Sequence, residues 1–206
     1  EKAYEEQFEF HQKWMNKLEL EHDNILSALY WSDGHSPEGF VKLSGTLAWF
    51  WRSHSYIFIG KDYLQRALLK DIGKTEPYAR ALIGLGIIIN FTGELPRAIK
   101  LINESLEIFR RGDNLWEEAN ALAMLSSMQV SGGDHETGLK GADQSLEIAR
   151  RIGKPGLINH FLMCVCTGAV HSKQYKLGNQ LAEELLISSE KLNYLWGIEM
   201  SRHFLG

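Results

Sequence analysis

The chain repeats itself every 40 residues, and no other property restricts its fold so sharply. Residues 79–114 and 119–154 align without a gap, so that Ala79, Ala81, Leu82, Leu85, Gly93, Ser105, Leu106, Glu107, Ile108, Arg110 and Arg111 all recur 40 positions on. A fainter copy follows, in which Leu122, Val130, Leu146 and Leu115-Trp116 return as Leu162, Val170, Leu186 and Leu195-Trp196. At an offset of 38, residues 40–73 form an earlier copy that sets Ala48 against Gly86 and Ala67-Leu68 against Ser105-Leu106.

Each copy carries two apolar stretches at helical spacing, parted by breaks at Gly93-Glu94, Gly133-Asp134 and Lys173-Gln174. The prolines agree with that division. Pro37, Pro77 and Pro155 stand where first helices should begin, and Pro96 falls in the first turn after a break, where a missing N–H costs little. Gly73 and Gly153 read as helix C-caps. A lone helical hairpin cannot cover its own apolar face, so the repeats must stack on one another. The expected fold is all-α, an α-solenoid of stacked antiparallel helical hairpins in a right-handed superhelix, with about eleven helices and no sheet.

The whole of 1–206 is expected to be one such repeat domain. Its parts are an N-terminal helical pair in 1–35 (helices near 4–15 and 16–32), hairpins at 36–74, 75–114, 115–154 and 155–194, and the start of a further repeat at 195–206. The small column Ala48, Gly86, Ser126 and Cys166 reaches Gly206 at its next step, in the middle of another first helix, so the sequence reads as an excised piece.

Composition narrows the function class. A net charge of -4, with 44% hydrophobic and 23% charged residues, fits a soluble globular protein and excludes a disordered tail or a polybasic nucleic-acid binder. The longest nearly unbroken apolar run, residues 81–91, is too short to span a bilayer, and no signal peptide opens the chain, so a cytoplasmic setting and no membrane partner are expected. Cys164 and Cys166 point to nearly opposite sides of a helix, which argues against a disulfide or a shared metal.

Within each copy the pattern of small and large residues resembles a tetratricopeptide repeat: Leu82, Leu85-Gly86, Ile89, Gly93-Glu94-Leu95, Ala98, Ile102 and Ser105-Leu106 fall at that family's packing positions. The repeat departs from the family in its length of 40, and it lacks the family's proline at the end of the second helix. Longer repeats of this kind are similar to the sensor regions of bacterial signal-transduction ATPases, the large LuxR-type and AfsR-like transcriptional regulators. The stretch Trp14 to Trp31, with Leu18-Glu19, Glu21-His22-Asp23-Asn24, Ala28-Leu29 and Trp31, resembles the segment that opens the repeat region in those regulators. The resemblance implies a sensor module that receives an inducer or partner and passes the event to tethered ATPase and DNA-binding domains outside this stretch. A passive scaffold for protein–protein interaction is the alternative.

Sites of chemistry are not evident. Gly84-Leu85-Gly86 lacks the rest of a dinucleotide fingerprint, Gly73-Lys74-Thr75 lacks the first glycine of a phosphate loop, and His160 with Cys164 lacks two further zinc ligands. Paired acids such as Glu117-Glu118 and Glu183-Glu184 read as solvated helix faces. Catalytic residues, metal and cofactor are therefore all expected to be absent.

The resemblance also implies a ligand face, because the first helix of each hairpin lines the groove in that family. By register the contacting positions are Lys42, Gly45, Trp49, Arg52 and Ser53, then Arg80, Ile83, Ile87, Asn90 and Phe91, then Asn120, Ala123, Ser127, Val130 and Ser131, and finally His160, Met163, Thr167, Val170 and His171. None is acidic, and Lys42, Arg52 and Arg80 are basic. Such a face suits a protein or peptide with acidic and apolar anchors, or a small anionic inducer. The competing reading is that Trp49, Ile87 and Phe91 only pack against the next hairpin.

Overall fold

The computed structural model describes residues 1–6 and 11–206. Every regular element among them is a helix, and there are twelve. The chain divides into two compact units, Glu1–Asp113 and Asn114–Gly206.

The first unit holds α1 (Lys2–Glu5), α2 (His11–Leu20), α3 (His22–His35), α4 (Pro37–Ser53), α5 (Ile57–Ala67), α6 (Glu76–Phe91) and α7 (Leu95–Arg111). α4 packs on α5 and α6, α6 packs on α7, and α3 closes against α4. The second unit holds α8 (Leu115–Ser131), α9 (His135–Ile152), α10 (Pro155–His171), α11 (Tyr175–Lys191) and α12 (Leu195–Leu205). There α8 pairs with α9, α10 with α9 and α11, and α12 with α11 and α10. Within each unit a first helix therefore touches its own second helix and the next first helix, as stacked hairpins require.

The backbone repeats as regularly as the sequence. A left-handed residue closes the first helix at Ser55, Gly93, Gly133 and Lys173, and another follows the second helix at Gly73, Asp113, Gly153 and Asn193. At each first-helix end the next amide reaches back five residues, as Tyr56 N to Trp51 O (2.8 Å), Glu94 N to Ile89 O (3.0 Å), Asp134 N to Gln129 O (2.9 Å) and Gln174 N to Ala169 O (2.8 Å). That bond satisfies a carbonyl the helix leaves open and turns the chain into its partner helix. Starts are capped in kind: Ser36, Thr75, Asn114 and Asp134 accept from the amide three residues on, and prolines occupy the first turns of α4, α6, α7 and α10.

At Gly86, Ser126 and Cys166 the small column lines the seam between the helices of a hairpin, whereas Ala48 lies against Gly84 of the next first helix. Ala48, Gly86, Ser126 and Cys166 are all buried, and the Ser126 hydroxyl donates to the Gly138 carbonyl while Cys166 Sγ lies 3.9 Å from the Gly178 carbonyl. Burial also pushes the Cys166 thiol up to about 12, which keeps it protonated and unreactive.

Several expectations are corrected. The N-terminal break falls at Glu21, between α2 and α3, and not between residues 15 and 16; the remainder of the expected first helix crosses 7–10, outside the described residues. α5 ends at Ala67, so Gly73 caps no helix and lies in the connection to α6. The early stop lets Lys70 turn back and donate to both the Asp33 carboxylate (2.7 Å) and carbonyl (2.8 Å) at the end of α3, beside an Arg66–Asp33 ion pair. Glu117 is not on a solvated face. It is fully buried in the first turn of α8, where the helix dipole favours a carboxylate.

Candidate functional site

In the first unit, α4 and α6 carry Lys42 and Arg80 at equivalent positions of their repeats, 38 residues apart. Both side chains converge on one carboxylate. Glu1 Oε2 lies 2.6 Å from Lys42 Nζ, and Glu1 Oε1 lies 3.1 Å from Arg80 Nη1. The Lys42 hydrogen bond, followed by that of Arg80, holds the Glu1 carboxyl below its ordinary range. Arg80 is 12% exposed at its side chain, and its guanidinium sits 5.2 Å over the ring of Tyr4, itself only 5% exposed.

The aromatic floor is partly filled from within. Trp49 is buried, with the His11 ring 5.7 Å from its own, and Ile83 is buried on α6. Arg52, Ile87 and Asn90 are half-buried, Ser53 is exposed, and Phe91 stands 64% exposed at the end of α6. Of the positions read from register, Lys42, Trp49 and Arg80 thus meet the N-terminal residues, while Phe91 faces solvent.

The second unit presents a different face. Asn120, Ala123, Val130 and Met163 are buried, Ser127 and Ser131 are exposed, and His160 and Val170 are half-buried. Thr167 donates to the Met163 carbonyl (2.9 Å), and the exposed His171 ring bonds the Thr167 carbonyl through Nδ1 (2.8 Å). His171 also borders a cleft of about 830 Å³ between α9 and the turn from α10 to α11. That cleft mixes signs: Lys140 is paired with Glu136 at 2.8 Å, and Asp143, Lys173 and His135 share the wall. It offers no single-sign attraction comparable to the Lys42 and Arg80 pair.

The Trp14 to Trp31 stretch packs against α4 and the turn that leads into α5. His22 stacks on Tyr56 at 4.5 Å and meets Phe50 at 6.0 Å, while Glu19 accepts from the Tyr56 hydroxyl (2.8 Å) and pairs with His54 (3.2 Å). Among the described residues no group of three or more His, Cys, Asp or Glu side chains assembles as a metal site. No helix among them is long and apolar enough to cross a membrane.

Register missed Glu1 and Tyr4. They precede the repeats, so no alignment of one copy on another assigns them a place. The available signal was local: an acid and an aromatic ring three residues apart share one face of a helical turn.

No protein-family profile matches the sequence, and no curated protein does. Solved structures do match. The chain is similar to a Rap protein complexed with Competence and Sporulation Factor, with TM-score 0.67 and 13% identity over 80% of this chain and 46% of that one. It is similar as well to a signal transduction ATPase with numerous domains from Pyrococcus horikoshii that has a tetratricopeptide repeat sensor (TM-score 0.71, 14% identity, 86% of this chain and 28% of that one). A Podosopora anserina chain with nearly identical TPR-like repeats of kinesin light chain type gives TM-score 0.68 at 12% identity, over 83% of this chain and 85% of that one. The chain thus spans under half of the Rap protein and just over a quarter of the ATPase. At such identities the likeness establishes the fold alone: these are stacked helical hairpins of the tetratricopeptide-like kind.

Proposed function

We propose that the chain is a non-catalytic, cytoplasmic binding module that takes a protein or peptide segment, or a small anionic inducer, on the face carried by its first helices. The convergence of Lys42 and Arg80 on one carboxylate carries this reading, since it is a working example of the chemistry that face selects. In the fuller reading the module is the sensor of a bacterial transcriptional regulator or signalling ATPase, linked to ATPase and DNA-binding domains beyond this stretch. Likeness to the repeat sensor of the Pyrococcus ATPase and to a Rap protein bound to its factor supports that reading. A ligand would act there only through its differential affinity for two arrangements of the protein. The passive scaffold has the same binding face and no switch.

An array of acidic, apolar-anchored peptides and their charge-inverted counterparts tests the binding reading. The parent chain should retain the acidic set, and R52E/R80E should lose that preference. Undiminished selection by the variant would sink it. A phosphate-loop domain or a helix-turn-helix in the same gene product decides for the sensor over the scaffold.

A further inference from the structure

We propose that Glu1 and Tyr4 form a resident occupant of the Lys42 and Arg80 site, and that the partner is a protein segment presenting a carboxylate and an aromatic ring one helical turn apart. This rests on the reading above, that the face binds a partner, and adds what that partner looks like and what it must displace.

The geometry is that of a ligand and its receptor within one chain. Glu1 and Tyr4 lie on the same side of α1, and between them they engage both basic residues: the carboxylate bridges Lys42 and Arg80, and the ring lies under the Arg80 guanidinium. Lys2 points away and pairs with Glu6 at 3.8 Å, so the turn presents its acid and ring to the repeats and its base elsewhere. The receptor side belongs to the repeats, on two stacked first helices; the occupant side belongs to a four-residue helix outside them. Its charged contact is half-exposed at Lys42 and Glu1, which leaves it open to exchange. An external segment with the same two groups can therefore compete with it for Lys42 and Arg80, and binding in trans is weakened by the fraction of time the resident segment is seated.

The probe is a fluorescein-labelled peptide of residues 1–6, Glu-Lys-Ala-Tyr-Glu-Glu, titrated by anisotropy against the full 206-residue chain, E1K/Y4A and K42E/R80E. E1K/Y4A should bind it about tenfold more tightly than the parent, the gain expected if the resident segment is seated nine-tenths of the time. K42E/R80E should not bind it, and a peptide with Gln and Ala in place of Glu and Tyr should bind none of the three. E1Q, which leaves Tyr4 in place, should give a smaller gain in the same direction and guards against misfolding of the double variant, with helicity checked by circular dichroism. Equal affinity for the parent, E1Q and E1K/Y4A, lost in K42E/R80E, overturns the occupant and leaves the binding face standing. Binding that survives K42E/R80E overturns both, and no binding to any protein overturns the proposed partner chemistry even where the acidic array is still selected.

Discussion

At the scale of single residues, the same repeat position is put to different uses. Glu94, Asp134 and Gln174 all follow a left-handed residue and all donate their amide back to the first helix. Asp134 then caps α9 by accepting from the Thr137 amide at 3.2 Å. Glu94 caps nothing. Its carboxylate takes Lys61 of α5 at 2.7 Å and Arg97 of α7 at 2.8 Å, tying one hairpin to the next. Those two bonds, Lys61 first, bring its carboxyl down to about 2 from an ordinary 4.5. A carboxyl lowered on folding contributes stability above its unfolded pKa and loses it as pH falls through the folded value. The advantage of the parent over E94Q should therefore be complete at neutral pH, shrink below about pH 4.5 and vanish near pH 2, the window set by the two values. Thermal unfolding of both proteins across that range measures it. A gap that stays constant with pH would mean the bridges contribute nothing.

At the scale of the element, the seam between the two helices of a hairpin decides which substitutions are tolerated. Gly60, Ala98, Gly138 and Gly178 occupy one register position on second helices; the last three face Gly86, Ser126 and Cys166 on first helices, while Gly60 lies against Trp51 and Ile88. Sequence alone ranks Gly138 and Gly178 alike. The structure separates them, since a Cβ on Gly138 would lie 2.6 Å from Val130 Cγ2 and 2.9 Å from the Ser126 carbonyl, whereas on Gly178 it would meet only Val170 and Ala169 carbons at 3.7 and 3.8 Å. Gly138→Ala must push α9 off α8 and should cost about 1–3 kcal/mol. Gly178→Ala keeps ordinary contacts and removes chain entropy from the unfolded state, so it should be neutral to about 1 kcal/mol stabilising. Urea midpoints of the two variants test the pair, and equal destabilisation by both would refute the seam argument. Helix pairs and their turns were legible in the sequence because each break, cap and small residue recurs at a fixed offset. The end of α5 was not, because the contacts that accompany it, Arg66 and Lys70 on Asp33 of α3, join residues more than 30 positions apart and do not recur at the repeat offset. The candidate site divided in the same way. Register found Lys42 and Arg80, which repeat, and passed over Glu1 and Tyr4, which do not.

At the scale of the molecule, each unit carries its own core. Side chains wholly withdrawn from solvent include Phe40, Phe50 and Trp51 in α4, Ile88 and Ile89 in α6 and Phe109 in α7 of the first unit, and Phe161 in α10 of the second. Within each unit the repeat helices draw their burial from a hairpin partner and, for the first helices, from a neighbour one repeat away, so stability is a sum of local pieces and damage should stay local. The charge follows the same logic. A net charge of -4 says little about a face whose bases meet an acid from outside the repeats; placement along the stack matters more than the total. Hydrogen exchange of Gly138→Ala turns the sum of local pieces into a measurement. Amides of α8, α9 and α10 should exchange faster than in the parent, because α9 packs on both α8 and α10. Amides of α4 and α5, more than one repeat distant along the chain, should keep their protection. Uniform acceleration through α4 and α5 would show that the chain opens as one cooperative body, and the account of stability as a sum of neighbouring hairpins would have to be given up.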